Sequence, residues 1–257
     1  MTEQPIDPAT PLDRLDMMLV AAGLVESRAK AQRLIKAGHV RVDGETITKP
    51  SFMVKAGHGE LAVDKGDDYV SRGAYKLLGA FKAFADDGLT GPQGLQCLDI
   101  GASTGGFTDV LLRGGADKVV ALDVGHGQLD PRIAKDGRVI EMSGVNIREV
   151  EADDLPFRPA MIVSDVSFIS LTYVIPVIAR IAAPGAQIVL LVKPQFEVGR
   201  EGLGRHGIVE DPALREQALR DVVACAEQHG LTVVDTADSP IAGTHGNAEY
   251  LLYAVAR

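Results

Sequence analysis
The chain has 257 residues, 24% charged and 46% apolar, enough apolar material for one large or two modest cores and too much for intrinsic disorder. Its longest apolar stretches, residues 173–183 and 186–192, fall short of the roughly 20 residues a membrane span needs, and Pro176 and Arg180 interrupt the first. The net charge of −9 argues against a polyanionic partner for the chain as a whole, but residues 12–56 hold eight Lys/Arg against five Asp/Glu, so the acidity belongs elsewhere.

The first eleven residues carry Glu3 and Asp7 and no apolar run, which predicts a disordered, Pro-containing tail rather than a signal peptide. Residues 12–24 repeat apolar side chains at helical spacing up to Gly23. Ser27 is placed to cap a second helix that Gly38 stops. Arg28, Lys30, Arg33, Lys36 and Arg41 follow with no acid between residues 27 and 42, either a solvated face or a binding surface. Residues 40–47 alternate around Asp43-Gly44, a tight hairpin. Residues 12–56 are therefore a small α+β domain, followed by a Gly/Asp-rich linker over 57–70.

The stretch RLDMMLVAAGLVESRAKAQRLIKAGHVRVDGE resembles the RNA-binding domain named after ribosomal protein S4. The resemblance implies that Arg28, Lys30, Arg33, Lys36 and Arg41 contact RNA phosphates, which give affinity and orientation but little sequence information. Arg72, just past the linker, is grouped with them.

From residue 71 to 257 the pattern changes. Residues 97–100, 119–123, 139–142, 161–165 and 188–193 predict buried strands, several followed by amphipathic helices, so βαβ crossovers and a parallel sheet are expected. Asp211 and Pro212 open a late helix that ends at Gly230. Two strands, 231–234 and 249–255, follow it.

After the first of these strands comes a Gly-rich turn, Gly101, Ala102, Ser103, Thr104, Gly105 and Gly106, with Phe107 opening a helix. Small residues there let backbone approach a ligand at the helix N-terminus. Asp99 is placed to face an ammonium group, and Asp123, closing the next strand, to accept from ribose hydroxyls. The turn is neither GxGxxG nor followed by a Walker lysine, and acidic strand ends suit a cationic, phosphate-free ligand. S-adenosylmethionine fits that description. Asp165 and Lys193 end the fourth and fifth strands, where an open α/β sheet binds ligands; a solvent-reaching edge lysine is the alternative. The sequence after Asp165 lacks the Asp/Asn-Pro-Pro-aromatic loop of exocyclic-amine methylation. Base C5 methylation needs an accessible cysteine, and Cys97 lies in a buried strand and Cys225 on a late helix. A Lys/Asp pair instead suits a hydroxyl acceptor, whose proton a neutral lysine takes as the methyl arrives.

YVSRGAYKLLGAF, CLDIGASTGGFTDVLL, ALDVGHGQLD, SDVSFISL, VKPQFEVGR and HGNAEYLLY resemble the TlyA haemolysin/rRNA methyltransferase family, whose catalytic domain is of the FtsJ type. The resemblance implies a Rossmann-like methyltransferase sheet with helices on both faces, S-adenosylmethionine as cofactor, and 2′-O-methylation of ribosomal RNA, with cytidine as the acceptor. It carries a Lys-Asp-Lys-Glu tetrad onto Lys76, Asp165, Lys193 and Glu249. Asp165 is counted among the cofactor contacts too, as is Asn146, which serves equally as a turn residue. The loop holding Gln195, Phe196, Glu197, Arg200 and Arg205 either closes over substrate or has no direct role. Phe107 and Phe168 are expected in the core and His126 at the surface. Two cysteines 128 positions apart, and histidines without ligand spacing, point to a reducing cytoplasm with no disulfide or metal. The two competing readings are a cytolysin, for which no membrane-seeking segment is present, and a non-catalytic RNA-binding factor, which has no use for the tetrad.

Overall fold
A computed structural model describes residues 12–36, 38–55, 60–63, 68–243 and 246–257, giving only the backbone of Leu12 and Arg200. The expected tail over residues 1–11 lies outside the described residues. Two compact units divide the chain at Asp68 and Tyr69.

The first unit contains β1 (Leu12–Arg14), α1 (Leu15–Ala21), α2 (Arg28–Lys36), β2 (Val40–Val42), β3 (Glu45–Thr46), β4 (Met53–Lys55) and β5 (Leu61–Val63). The expected first helix thus opens as a strand: β1 pairs antiparallel with β4, and this long-range pairing outweighs local helical periodicity. The expected linker is also corrected, since β5 falls inside it and pairs antiparallel with β2. Asp43 and Gly44 have φ of 52° and 82°, the left-handed pair that a two-residue hairpin requires. Ser27 Oγ accepts from Lys30 N at 3.3 Å, as the capping pattern predicts. Leu15, Leu19, Ala31, Ile35 and Val40, all 0% exposed, make the core.

Asp16 is also 0% exposed. Its carboxylate accepts from Arg14 Nε at 2.9 Å, Arg28 Nε at 2.9 Å and Gln32 Nε2 at 2.7 Å, which ties α1 to α2. These bonds, Arg14's foremost, hold its carboxyl far below the usual range against the opposing effect of burial. A carboxyl with a lowered folded pKa stabilises fully above its unfolded pKa of about 3.9, and the contribution fades as pH falls below that value. Asp16→Ala is expected to destabilise the unit by about 2 kcal/mol, a moderate figure because both guanidinium groups keep solvent contact. Amide protection across residues 12–55, corrected for the intrinsic exchange rate, should therefore fall below about pH 4 in the wild type, and Asp16→Asn should remove most of that acid dependence.

The second unit runs α3 (Ala74–Ala83), β6 (Gln96–Ile100), α4 (Gly106–Arg113), β7 (Lys118–Asp123), α5 (Pro131–Ala134), β8 (Val139–Ser143), β9 (Met161–Ser164), α6 (Leu171–Ile181), β10 (Gln187–Val192), α7 (Pro194–Glu197), α8 (Pro212–Gln228), β11 (Leu231–Asp238) and β12 (Tyr250–Ala256). Its sheet has the order β11-β12-β10-β9-β6-β7-β8. Strands β6 to β10 are parallel, while β12 is antiparallel to both neighbours. One sheet face packs on Val174, Ile178, Val222 and Ala226 of α6 and α8. The other packs on Leu77, Phe107, Leu111 and Ile133 of α3, α4 and α5. Chain order reverses between β6 and β9, so the carboxyl ends of these two strands border the crevice where such sheets bind ligands.

Helix α6 runs through Pro176, which has no N–H to offer the Thr172 carbonyl four residues back. The Cys225 thiol lies 3.9 Å from that oxygen. With Ser170 capping Thr172 N at 3.1 Å, the apolar stretch that begins at Tyr173 stays helical to Ile181.

Candidate active site
The turn after β6 leaves no room for a side chain at its glycines. Gly101 has φ 83°, and a Cβ there would lie 2.9 Å from the Asp165 carbonyl oxygen. Gly105, φ 91°, precedes α4, and its missing Cβ would press on Ile133 and Leu129. Gly105 thus shapes the turn but does not line the cavities below. Asp123 accepts from Ser103 N and Gly125 N, each at 2.8 Å, fixing this carboxylate at the end of β7.

Two cavities meet at this turn and share Gly101, Ser103, Asp165, Ser167 and Phe168. One, about 680 Å³, has apolar walls from Leu122, Val124, Val145 and Ile169, with Asp123, Asn146 and Arg148 as polar groups. Asn146 both borders this cavity and caps the turn after β8, accepting from Arg148 N at 3.2 Å, so each of its two expected roles has a basis. The other cavity, about 600 Å³, contains Ala102, Thr104, Gly106 and Phe107 together with Lys76, Asp165, Lys193 and Glu249.

Those four ionisable residues form an alternating chain. Lys76 Nζ lies 2.8 Å from Glu249 Oε2 and 3.4 Å from Asp165 Oδ2, and Lys193 Nζ lies 2.6 Å from Asp165 Oδ1. Lys76, Lys193 and Glu249 are each 7% exposed or less. Lys76 also sits in the first turn of α3, where the helix dipole disfavours a cation. Buried charges at such positions imply partners and a purpose beyond stability. Glu249, directly before β12, packs against Gly243, where a Cβ would come within 2.2 Å of Oε1.

Asp99 does not face a ligand as expected. It is 0% exposed and borders neither cavity, its Oδ2 accepting from Thr108 Oγ1 at 2.6 Å. Burial lifts its carboxyl to about 7. Phe168 is corrected in the opposite sense. It is 93% exposed with φ 65° and rests 5.3 Å from Phe196 at the cavity. Phe107 is buried as expected. Burial, with Asp99 nearby, pushes the Cys97 thiol up to about 12, so it offers no nucleophile.

Of the loop after Lys193, Gln195 and Phe196 line the 600 Å³ cavity. Glu197 instead binds Ser170 Oγ at 2.5 Å and Leu171 N at 2.9 Å, anchoring the loop to the start of α6. Sequence reasoning passed over Ser167 and Asn247. Ser167 Oγ is 2.9 Å from Lys193 Nζ. Asn247 bridges Val209 N and the Gly207 carbonyl at 3.3 and 3.2 Å, holding the loop opposite. Each lies two residues from a tetrad member, and that spacing was the signal available.

The basic residues divide. Arg28 pairs with Asp16 while its side chain stays 54% exposed, and Lys30 pairs with Glu26 and Asp68 at 13% exposure. Arg33, Lys36 and Arg41 are exposed. Arg72, in the second unit, donates to the Ala242 carbonyl at 2.5 Å and borders the 600 Å³ cavity.

A family model for FtsJ-like methyltransferases matches residues 69–255, and one for the S4 domain matches residues 13–59. The 16S/23S rRNA (cytidine-2′-O)-methyltransferase TlyA of Mycobacterium tuberculosis is 44% identical, over 93% of this chain and 88% of that protein. Hemolysin A of Brachyspira hyodysenteriae is 41% identical over 94% of this chain and 99% of its own length. A solved structure from Streptococcus thermophilus, described only provisionally as a hemolysin, superposes with a TM-score of 0.73 at 41% identity, over 96% of this chain and 90% of that one.

Proposed function
The chain belongs to the FtsJ-like methyltransferase family, and we infer that it transfers the methyl group of S-adenosylmethionine to a ribose 2′-hydroxyl of ribosomal RNA, with cytidine as the acceptor nucleoside. The observation that carries this reading is the alternating Glu249–Lys76–Asp165–Lys193 chain lining a cavity beside the glycine turn.

The cofactor fits the 680 Å³ cavity on chemical grounds. Its apolar walls suit adenine, Asp123 suits a ribose diol, and the turn from Gly101 to Gly106 carries no Lys or Arg to cradle phosphate. Carboxylates at the strand ends favour a cation. S-adenosylmethionine supplies an electrophilic methyl whose bond to a sulfonium breaks to leave a neutral thioether. Lys193 Nζ, in its neutral form, accepts the 2′-hydroxyl proton as the ribose oxygen acquires the methyl. Asp165 holds Lys193 through Oδ1. Lys76, clamped by Glu249, steadies the other carboxylate oxygen, so the base is fixed by a chain rather than by one contact. Phe168 and Phe196 offer aromatic faces at the cavity, a surface on which an unstacked base can rest.

Incubation with methyl-labelled S-adenosylmethionine and unmodified ribosomal subunits, with the nucleosides identified by mass, tests this. A 2′-O-methylated nucleoside is expected, and a base-methylated product or no transfer would overturn the reading. RNA binding by the first unit makes a separate prediction. Arg33→Ala with Lys36→Ala should weaken affinity for ribosomal RNA and flatten the log-affinity against log-salt slope by about two, one for each phosphate contact. Titration at several KCl concentrations measures this, and S-adenosylmethionine affinity should not change.

A further inference from the structure
A lysine that acts as a base must be aimed as well as placed. In its neutral form Nζ has two N–H bonds and one lone pair, set tetrahedrally about the bond to Cε, and the lone pair must meet the hydroxyl. Rotation about Cε–Nζ moves the lone pair among three staggered positions. Asp165 Oδ1, 2.6 Å away, attracts the lysine as an ion pair but lies outside hydrogen-bond angles, so it does not select among them. A hydrogen-bond acceptor is needed to do so.

Ser167 Oγ lies 2.9 Å from Lys193 Nζ. It is two residues beyond Asp165, and the next residue, Phe168, has the left-handed φ of 65°. A phenylalanine in that conformation is strained and persists where the surroundings impose it, as at functional sites. Ser167 is exposed to the cavity and adds nothing to the buried core. Its side chain hydrogen-bonds the lysine.

We propose that Ser167 is a positioning residue that accepts an N–H of Lys193 and so narrows the directions in which the lone pair can meet the acceptor hydroxyl. The inference rests on Lys193 acting as the base. Asp165 holds the lysine by charge, and the hydrogen bond to Ser167 restricts its rotation in the cavity that Lys193 lines.

The test is single-turnover methyl transfer to unmodified ribosomal subunits by Ser167→Ala and Ser167→Thr, with dissociation constants for S-adenosylmethionine and RNA measured alongside. Ser167→Ala should lower the single-turnover rate about tenfold or more, the scale of a misdirected reacting group, with both dissociation constants within about twofold of wild type. Ser167→Thr, which restores a hydroxyl at the same carbon, should recover most of the rate. A rate unchanged in Ser167→Ala overturns the proposal. So does an equal loss in Ser167→Thr, which would assign the effect to cavity shape. Lys193→Ala, run in parallel, separates the two levels. Activity that survives in it refutes the base and the positioning role together, whereas activity lost there but intact in Ser167→Ala refutes Ser167 alone.

Discussion
Lys193→Ala is expected to lower methyl transfer by about three orders of magnitude, within the range for removal of a positioned general base, while S-adenosylmethionine still binds. The side chain ends β10, a run of five buried apolar residues from Ile188 to Val192. Its Nζ contacts Asp165 and Ser167, both at the catalytic cavity. Truncation leaves Asp165 with Lys76 as its remaining cation, at 3.4 Å, so a modest loss of thermal stability should accompany the kinetic one. Lys193→Arg distinguishes a base from a counter-ion. Arginine keeps the charge beside Asp165 but does not deprotonate in proteins. If Lys193 is the base, Lys193→Arg should be as inactive as Lys193→Ala despite a retained ion pair. Activity in Lys193→Arg within about tenfold of wild type would instead make Lys193 an electrostatic support. Single-turnover assays with melting temperatures measured on the same samples decide between them.

Much of this site was legible in the sequence because the sheet dictates it. Buried parallel strands appear as short apolar runs, and the residue that ends each run lies at the crevice. Asp165 and Lys193 could be found that way. Lys76 and Glu249 could not, since one lies in the first turn of a helix and the other ahead of an antiparallel strand. Only motif resemblance pointed to them, and the tertiary fold brings Lys76 between the carboxylates of Glu249 and Asp165.

The misreadings have physical causes as well. Asp99 and Asp123 both sit at strand ends, but Asp99 is the fourth of five residues in β6, its side chain turned inward to Thr108. Asp99 pairs with Ala121, so Asp123 lies two residues further along the same face, at the strand end where the cavity opens, whereas Asp99 stops short of it. Phe168 looked like core because it is aromatic, yet a left-handed backbone turns it outward. The Arg-Leu-Asp sequence at residues 14–16 resembled part of an RNA-binding signature. In the structure its Asp16 is the buried junction that secures Arg14, Arg28 and Gln32. Arg28 pairs with that acid while more than half its side chain stays exposed. Nothing in the local sequence shows that a solvent-facing basic residue also meets a buried acid twelve positions earlier.

Gly101→Ala is expected to cost both structure and activity, because this glycine lies where the cofactor turn touches the catalytic strand. Its Cβ would meet the Asp165 carbonyl oxygen at 2.9 Å, the carbonyl carbon at 3.1 Å and Val166 Cα at 3.2 Å. All three are backbone atoms, which cannot swing aside as a flexible side chain would. The φ of 83° adds a left-handed penalty of about 1–2 kcal/mol for any L residue. Relief requires separating the end of β6 from that of β9, although Asp165 N donates to the Ile100 carbonyl at 3.1 Å across that boundary. The displaced residue is then Asp165, which holds Lys193 at 2.6 Å, and shifts of that order lower rates about a hundredfold. Gly185→Ala is the matched control, with φ 76° and no atom within 4 Å of the added carbon. It should incur only the left-handed penalty and leave methyl transfer and S-adenosylmethionine affinity at wild-type levels. Gly101→Ala should melt below Gly185→Ala, bind S-adenosylmethionine more weakly and lose transfer activity. Equal melting temperatures with equal activity in the two variants would show that the contact between the glycine turn and Asp165 does not set the position of the catalytic carboxylate.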